Sequence, residues 1–312
     1  MRRIGVLLVV LGLVVGACGK QDSGAAPPAP PAAGGKVIGV SLLTKTNVFF
    51  TDIEDGMRAE TDKRGWRLVV QSAEKSATVQ QRQIEDFVTQ KVDAIVVTPC
   101  DSDTVAASLR SAAAAKIPVF TADIGAKGAD IVSHIASDNY QGGHLAGVTM
   151  AKLLGGKGKV IIIDHPAVSS VQDRTRGFVD ALATSPGIQI VDRPSAEGDR
   201  VKAQAVMENA LTRHPDLAGV FGINDPSALG ALRAVEAAGA KGITIIGYDA
   251  VPEACEAIRK GSALKADVVQ YPKEIGAKTI EAIAAHFEGR KVEKLTPVMV
   301  GIVDAESLAK AK

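Results

Sequence analysis

The chain contains the same succession of short β-rich runs and longer helical segments twice. Two runs in the first half, AIVVT and IPVFTAD, match VFGIN and ITIIGYD in the second half at an offset of 126 residues. Thr98 and Asp123 are 25 residues apart, and Asn224 and Asp249 are also 25 residues apart. Such an internal repeat predicts two similar folding units, which also suits a folded region too long for a single core.

Each half alternates β-rich runs with segments long and Ala-rich enough to form helices. This alternation is typical of βαβ units and parallel sheets, so we expect an α/β fold with two similar Rossmann-like lobes. The β-rich runs are KVIGVSLL, WRLVVQ, DAIVV, IPVFTAD and DIVSHIA, then KVIIID, IQIVD, AGVFGIN, ITIIGYD and ADVVQ. The predicted helices include residues 76–91, 102–116, 141–154, 200–213 and 272–288.

The first residues have the order of a secretory signal: Arg2 and Arg3, an apolar run, and small residues before Cys18. We predict a signal peptide over residues 1–17. The sequence VGAC also resembles the lipobox of bacterial lipoproteins, which makes Cys18 the predicted lipidation site and predicts a membrane-anchored protein in the periplasm or at the cell surface. A plain signal peptide with an incidental cysteine is the alternative.

A segment rich in Pro, Ala and Gly follows Cys18 and has no apolar period. We predict that residues 18–35 form a flexible tether and that the folded region begins at Lys36. Without residues 1–17 the chain has 34 basic and 35 acidic side chains, and this balance gives no indication of a nucleic-acid partner. Cys100 and Cys255 lie in different halves and match no metal-binding spacing, so we expect both to be unpaired and no metal or other cofactor to be bound.

Polar residues stand where the predicted strands end. Ligands of open parallel sheets bind outside the carboxyl ends of the strands, so facing lobes would bring these residues to one cleft. Aspartate also caps helices and turns, which is the structural alternative for each of the two carboxylates. Their recurrence at matching positions of both halves favours ligand contact. The strand-end residues are Asn47, Thr98, Asp123, Asn224 and Asp249.

Three further types of side chain complete the predicted site. Arg174 follows the strand KVIIID and offers a fixed fork of donors that could bridge ligand oxygens and the two aspartates, whereas Arg176 suits an ordinary solvated charge. Gln270, like Asn224, both donates and accepts, although a strand-end glutamine facing water is the alternative.

Phe49 and Phe50 are adjacent in a chain with few aromatic residues. A helix beginning near Thr51 would bury one ring, and both rings in the core is the alternative. Neighbouring rings at a strand end can instead cover the apolar faces of a sugar whose rim meets amides, carboxylates and a guanidinium. The doublet therefore predicts a neutral, polyhydroxylated ligand.

These residues fall within motifs that give residues 36 to about 303 a resemblance to the ribose-type periplasmic sugar-binding proteins, the solute receptors of ABC importers and of some chemoreceptors. The resemblance implies a type I periplasmic binding protein fold whose lobes close on a sugar by hinge rotation. The segments that carry it are NVFF, TPCDSD, VSHIASDN, RTRGF, AVMENALTRHPDLAGVFGINDPSALGALRA, GYDAVP and QYPKEIGAK.

The resemblance also implies three crossing segments, near 136–140, 267–271 and 299–303. The N-terminal lobe would then comprise 36–137 plus 271–299, and the C-terminal lobe 138–270 plus 300–312. It implies a monomer that delivers its ligand to an ABC permease. The implied ligand contacts are Asn47, Phe49, Phe50, Asp123, Arg174, Asn224, Asp249 and Gln270.

Three positions depart from the ribose pattern. Ile124 stands where the family has an arginine, Gly198 where it has an aromatic ring, and Thr98 where it has an asparagine. Losing a charged donor and a ring should weaken binding of the original ligand. A hexose, a polyol or a ligand with a less polar edge is therefore as well supported as ribose.

Other classes of protein fit the sequence less well. No nucleotide-binding or zinc-protease motif is present, so we do not expect an enzyme. A sugar-responsive repressor would need a DNA-binding segment where the signal and tether stand. A receptor that feeds a sensor or chemoreceptor, and a receptor for a solute that is not a carbohydrate, remain as alternatives.

Overall fold

The computed structural model describes residues 35–310. The predicted signal peptide, the predicted lipidation site Cys18 and the tether up to residue 34 lie outside the described residues. The strands are β1 (Val37–Leu42), β2 (Arg67–Ser72), β3 (Ala94–Val97), β4 (Val119–Ala122), β5 (Ser133–Ser137), β6 (Lys157–Ile163), β7 (Gly187–Asp192), β8 (Leu217–Gly222), β9 (Thr244–Asp249), β10 (Leu264–Val269), β11 (Leu295–Val298) and β12 (Gly301–Asp304). The helices are α1 (Val48–Lys63), α2 (Ala77–Thr89), α3 (Ala106–Ala114), α4 (Asn139–Leu153), α5 (Ser169–Leu182), α6 (Arg200–Arg213), α7 (Asp225–Ala237), α8 (Pro252–Arg259), α9 (Pro272–Phe287) and α10 (Ala305–Lys310).

The strands form two six-stranded sheets with the same order. The first sheet runs β11-β5-β4-β3-β1-β2 and the second runs β12-β10-β9-β8-β6-β7. Every strand pairing is parallel except that of β10 with β12. The two lobes predicted from the internal repeat are therefore confirmed, and each is a parallel sheet with flanking helices.

The chain passes between the sheets at three points: after β5, after β10 and after β11. Helix α9 returns to the first lobe, where it packs against α1, and α4 packs against α5 in the second lobe. The strand order reverses beside β1 in the first sheet and beside β6 in the second. At such a point the loops at the carboxyl ends of neighbouring strands diverge and leave a crevice.

Apolar strand residues and one face of each covering helix form the cores. Ile38, Val40 and Phe120 are fully buried in the first sheet, and Ile162 and Ile246 are fully buried in the second. Near-continuous apolar runs are expected when helices cover both faces of a parallel sheet. Among residues 35–310, no helix combines the length and the apolar character that a membrane span needs.

Helix α1 begins three residues before the position predicted from the sequence. It starts at Val48 rather than near Thr51 because the Asn47 side chain accepts a hydrogen bond from the Phe49 N–H and caps the helix. Two short edge strands, β11 and β12, were not predicted. Cys100 and Cys255 are both free, as expected.

Candidate ligand-binding cleft

A cleft of about 380 Å³ lies between the two lobes, at the carboxyl ends of their strands. Both sheets contribute the residues that directly follow their strands. Of the nine predicted site residues, eight line the cleft: Asn47, Phe49, Phe50, Asp123, Arg174, Asn224, Asp249 and Gln270.

The two aspartates occupy equivalent positions of the repeat and share an uncommon backbone conformation. Asp123 follows β4 with φ of 64°, and Asp249 ends β9 with φ of 124°. Positive φ is costly for a residue with a side chain and is found mostly where the surrounding structure holds a functional group in place. Both carboxyl groups are buried at the wall of the cleft.

The electrostatic environment keeps both carboxyl groups close to titration at neutral pH. Burial raises the pKa of Asp123 to about 7, although the Arg174 guanidinium opposes this shift. Burial likewise raises the pKa of Asp249 to about 6, against the influence of Arg174 and of a hydrogen bond from Gln270. A carboxyl group in this state can accept or donate a hydrogen bond, so it can pair with a ligand hydroxyl in either sense.

Arg174 lies on α5 and is held from three sides. Its Nε donates to Asn139 Oδ1 at 2.8 Å and its Nη1 donates to the Ile223 carbonyl at 2.8 Å. Its guanidinium carbon lies 3.8 Å from the centroid of the Tyr248 ring. These contacts fix the fork and leave N–H groups free to bind oxygen atoms in the cleft.

The two asparagine side chains of the cleft, Asn47 and Asn224, also cap helices. Asn47 caps α1, and Asn224 caps α7 by accepting from the Ser227 N–H at 3.0 Å. The Asn224 Nδ2 also donates to the Gly198 carbonyl at 3.3 Å, which leaves one N–H for a ligand. The capping role explains why each asparagine stands at the start of a helix and at the wall of the cleft together.

Gln270 fixes one oxygen of Asp249. Its Nε2 donates to Asp249 Oδ1 at 2.7 Å, and the backbone N–H of Asp225 lies 3.5 Å from Asp249 Oδ2. Within residues 35–310, three residues of the cleft wall have a buried side-chain oxygen without a hydrogen-bond partner: Asp123 Oδ1, Asp225 Oδ1 and Gln270 Oε1. Buried polar atoms are normally paired, so this wall suits a ligand that supplies hydroxyl groups.

The aromatic pair belongs both to the core and to the cleft. Phe49 is 4% exposed and Phe50 7%, and both pack with the buried apolar residues of the first lobe. Their ring centroids are 5.3 Å apart and the ring planes are perpendicular. Because both residues also line the cleft, they add an apolar surface to its wall.

The expectation for Thr98 is corrected by the structure. Thr98 is fully buried and does not line the cleft. Its N–H donates to the Ser41 carbonyl at 2.9 Å, and its own carbonyl accepts from Gln80 Nε2 at 3.0 Å. Gln80 of α2 therefore covers the end of β3, so this strand end contributes to the core of the first lobe rather than to the cleft.

Two of the departures from the ribose pattern change the cleft wall directly. Ile124 lines the cleft with a buried apolar side chain where the family has an arginine. Gly198 has φ of 59°, and a Cβ there would lie 2.9 Å from Asn224 Nδ2. A side chain at this position is strained and crowded, so this side of the cleft has no ring.

Several residues that matter to the cleft were not predicted. Asn139 of α4 and Tyr248 of β9 hold Arg174 of α5, and the packing of α4 against α5 and β9 brings them together. His165 lines the cleft, and burial lowers its pKa. Lys75 Nζ and Asp199 Oδ2 are 3.4 Å apart and connect the lobes. The sequence carries no local pattern that marks these residues as parts of a binding site.

The lobes also touch through backbone and serine groups. The Ser102 N–H donates to the Ala167 carbonyl at 3.0 Å, and Ser102 Oγ accepts from the Ser169 N–H at 2.9 Å. Ser169 Oγ in turn accepts from the Gly125 N–H at 3.0 Å. These hydrogen bonds join loops of the first lobe to the start of α5 and the loop before it, as in a clamp whose two halves have approached each other.

This combination of fold and cleft defines a class of protein, the two-lobed solute receptors. A family model described as the periplasmic binding protein domain matches residues 38–291. The chain belongs to this family.

Among characterised proteins, the chain is 38% identical over 267 residues to the ribose import binding protein of Salmonella typhimurium, covering 85% of this chain and 90% of that protein. It is 35% identical over 297 residues to the ribose import binding protein of Bacillus subtilis, covering 94% and 95%. A solute binding protein of an ABC transporter from Mycobacterium smegmatis, solved with glycerol, superposes with a TM-score of 0.84 at 30% identity, covering 89% and 96%.

Proposed function

We propose that the protein is an extracytoplasmic receptor that binds a neutral sugar or polyol between its lobes and delivers it to an ABC importer. One observation carries this proposal: Asp123 and Asp249, at equivalent ends of two repeated sheets, face one cleft together with Arg174. All three side chains are buried there.

Hydroxyl groups suit this arrangement better than charged groups do. The two aspartates accept hydrogen bonds from hydroxyls, and the guanidinium donates to hydroxyl or ring oxygens. Arg174, the one buried arginine among residues 35–310, roughly balances two partly protonated carboxyl groups, so a ligand with a net charge would disturb the balance. Phe49 and Phe50 supply an apolar surface for the C–H face of a sugar.

The relatives support the same class of ligand. Two of them are ribose import binding proteins, and the solved relative contains glycerol. Their common chemistry is a small neutral molecule with several hydroxyl groups. Because Ile124 and Gly198 change the wall of the cleft, we propose this class rather than ribose itself.

The second candidate is a receptor that signals to a chemoreceptor or sensor, or that binds a non-carbohydrate solute. The cleft wall favours a ligand other than ribose at two positions. Ile124 supplies an apolar side chain in place of the arginine of the ribose pattern, and Gly198 supplies no side chain in place of the aromatic ring. Import and signalling would both use the closed form of the receptor.

Closure is the proposed mechanism. We propose lobes of 36–137 plus 271–299 and of 138–270 plus 300–312, which rotate about the three connecting segments. The ligand would bind one lobe first, and closure would add contacts from the other lobe, as hinge motions do in receptors of this shape. The hydrogen bonds between Ser102 and Ser169 and the ion pair of Lys75 with Asp199 would hold the closed form.

The location and the assembly state belong to the proposal as well. A lipid on Cys18 and a flexible tether over 18–35 would keep a monomeric receptor near the permease while leaving the lobes free to move. This arrangement follows from the order of basic, apolar and small residues before Cys18.

A thermal-shift screen against pentoses, hexoses, polyols and nucleosides tests the proposed function. A ligand at about 100 times its Kd stabilises the folded state by about 2.7 kcal/mol, so the melting temperature should rise by several degrees. Asp249→Ala should abolish the rise, whereas the exposed Asp216→Ala should not. No rise with any neutral solute, in folded protein free of copurified ligand, would contradict a sugar or polyol receptor.

A further inference from the structure

A second pair of carboxyl groups, those of Asp225 and Asp267, lies next to Asp249. Asp225 also belongs to the cleft wall, whereas Asp267 does not. Asp225 is the first residue of α7, Asp267 lies within β10, and both side chains are fully buried. A Cβ at Gly247 would lie 2.8 Å from Asp225 Oδ1 and closer still to Asp267 Oδ2. The absence of a side chain at Gly247 thus makes room for two carboxyl oxygens side by side.

Each carboxyl group uses its other oxygen to hold the loop after β9. Asp267 Oδ1 accepts from the Ala250 N–H at 3.0 Å, and Asp225 Oδ2 accepts from the Val251 N–H at 2.7 Å. Ala250 has a positive φ of 56°, and Asp249 directly before it has φ of 124°. This costly backbone persists because two buried acceptors fix its N–H groups.

The facing oxygens, Asp225 Oδ1 and Asp267 Oδ2, are buried and have no other partner within residues 35–310. Two ionised carboxylates in contact would repel each other strongly in a buried site, so one of them must carry a proton. That part of the chain has no group of three or more His, Cys, Asp or Glu side chains that could hold a metal ion. A proton between the two oxygens satisfies both.

We propose that Asp225 and Asp267 share one proton and that this pair is a positioning device, which holds the loop at Ala250 and Val251 so that Asp249 faces the ligand. The proposal rests on the proposed function for the ligand-binding role of Asp249. The pair itself is a property of the ligand-free protein.

The surroundings of Asp225 and Asp267 favour retention of one proton by the pair. Burial raises the pKa of Asp267 to about 8, and burial together with the neighbouring Asp267 charge raises the pKa of Asp225 well above its ordinary value. Asp249 faces the pair from β9, Cys255 from α8 and Arg200 from α6. Because the two groups interact closely, their proton losses belong to the pair rather than to either residue.

The sign of the pH effect follows from the raised pKa. The protonated pair contributes stability that is fully present below the ordinary pKa of aspartate, about 4, and is lost as the pH rises through about 8. In Asp267→Asn, the amide N–H takes the place of the shared proton and does not titrate. The loss of stability with rising pH should therefore be much smaller in this variant. Asp123, Asp249 and Cys255 titrate in both proteins, and the difference between the two profiles isolates the pair.

The deciding experiment is an NMR titration of the full chain labelled with ¹³Cγ-aspartate, without ligand, for wild type, Asp267→Asn, Asp267→Ala and the exposed control Glu256→Gln. In wild type, the last titration step of the pair should fall near pH 8. In Asp267→Asn, the Asp225 step should move to lower pH, because the amide donates to the carboxylate and the neighbouring negative charge is gone. The Ala250 and Val251 amide resonances should shift in Asp267→Ala, while Asp267→Asn and the control should preserve them.

Binding of D-ribose supplies the functional readout. Asp267→Ala should weaken binding about tenfold, whereas Asp267→Asn should stay within about threefold at neutral pH. A single titration step of both carboxyl groups near their ordinary pKa, or unchanged Ala250 and Val251 resonances in Asp267→Ala, would overturn the proposal. If wild type does not bind D-ribose, the thermal-shift screen decides the proposed function, and the titration still decides whether the pair holds the loop.

Discussion

Arg174→Ala should weaken sugar or polyol binding at least about a hundredfold, because it removes charge-assisted hydrogen bonds of about 1.5–3 kcal/mol each. The same change leaves Asp123 and Asp249 without the positive charge that lowers the pKa of both groups. The two carboxyl groups would then take up protons at higher pH and become poorer acceptors for ligand hydroxyls.

Arg174→Lys should restore little of this loss. The guanidinium reaches Asn139 Oδ1, the Ile223 carbonyl and the Tyr248 ring together, and a lysine ammonium cannot reproduce this planar fork. Titration calorimetry with the best ligand of the thermal-shift screen measures the effect.

Arg176→Ala is the matched control for Arg174. Arg176 lies on the same helix, forms an ion pair with Asp173 at 2.9 Å, and is largely exposed. Exposed ion pairs contribute little, so its removal should change neither affinity nor stability appreciably. An affinity within about threefold of wild type in Arg174→Ala would show that the guanidinium does not bind the ligand.

Gly143→Ala should lower the free energy of unfolding by about 3 kcal/mol and weaken ligand binding as well. Helices α4 and α5 cross at this glycine, and a Cβ there would overlap the carbonyl oxygen of Arg174. The crossing is reciprocal, since a Cβ at Gly177 of α5 would overlap the Tyr140 carbonyl of α4. Separating the helices would also move Asn139 away from Arg174.

Urea denaturation measures the stability of Gly143→Ala, and calorimetry measures its affinity. Val148→Ala is the control, because Val148 lies on the same helix and is 49% exposed. Surface substitutions of this kind usually change stability by less than about 0.5 kcal/mol. A change below about 1 kcal/mol in Gly143→Ala would mean that the crossing can relax without cost.

The two lobes could be predicted from the sequence because their strands are continuous apolar runs with turn residues between them. The edge strands β11 and β12 could not be predicted from the sequence, because each has only four residues and β11 contains Pro297. Short edge strands depend on pairing with a neighbour more than on their own composition.

Most of the cleft followed from one rule, the convergence of strand ends in facing parallel sheets. The rule failed at Thr98, because a side chain from α2 covers that strand end. It could not reveal the contacts of Arg174 with Asn139 and Tyr248, or the pairing of Asp225 with Asp267. Those contacts join residues far apart in the chain, which the register of β9 and β10 and the packing of α4 and α7 bring together.

The most direct test of the proposed site is a crystal structure with the sugar or polyol that raises the melting temperature most. We predict a ligand between the lobes, in contact with Phe49 and Phe50, whose hydroxyl groups lie within about 3 Å of Asp123, Arg174 and Asp249. A ligand bound outside the cleft, or one whose hydroxyl groups reach neither aspartate, would contradict it.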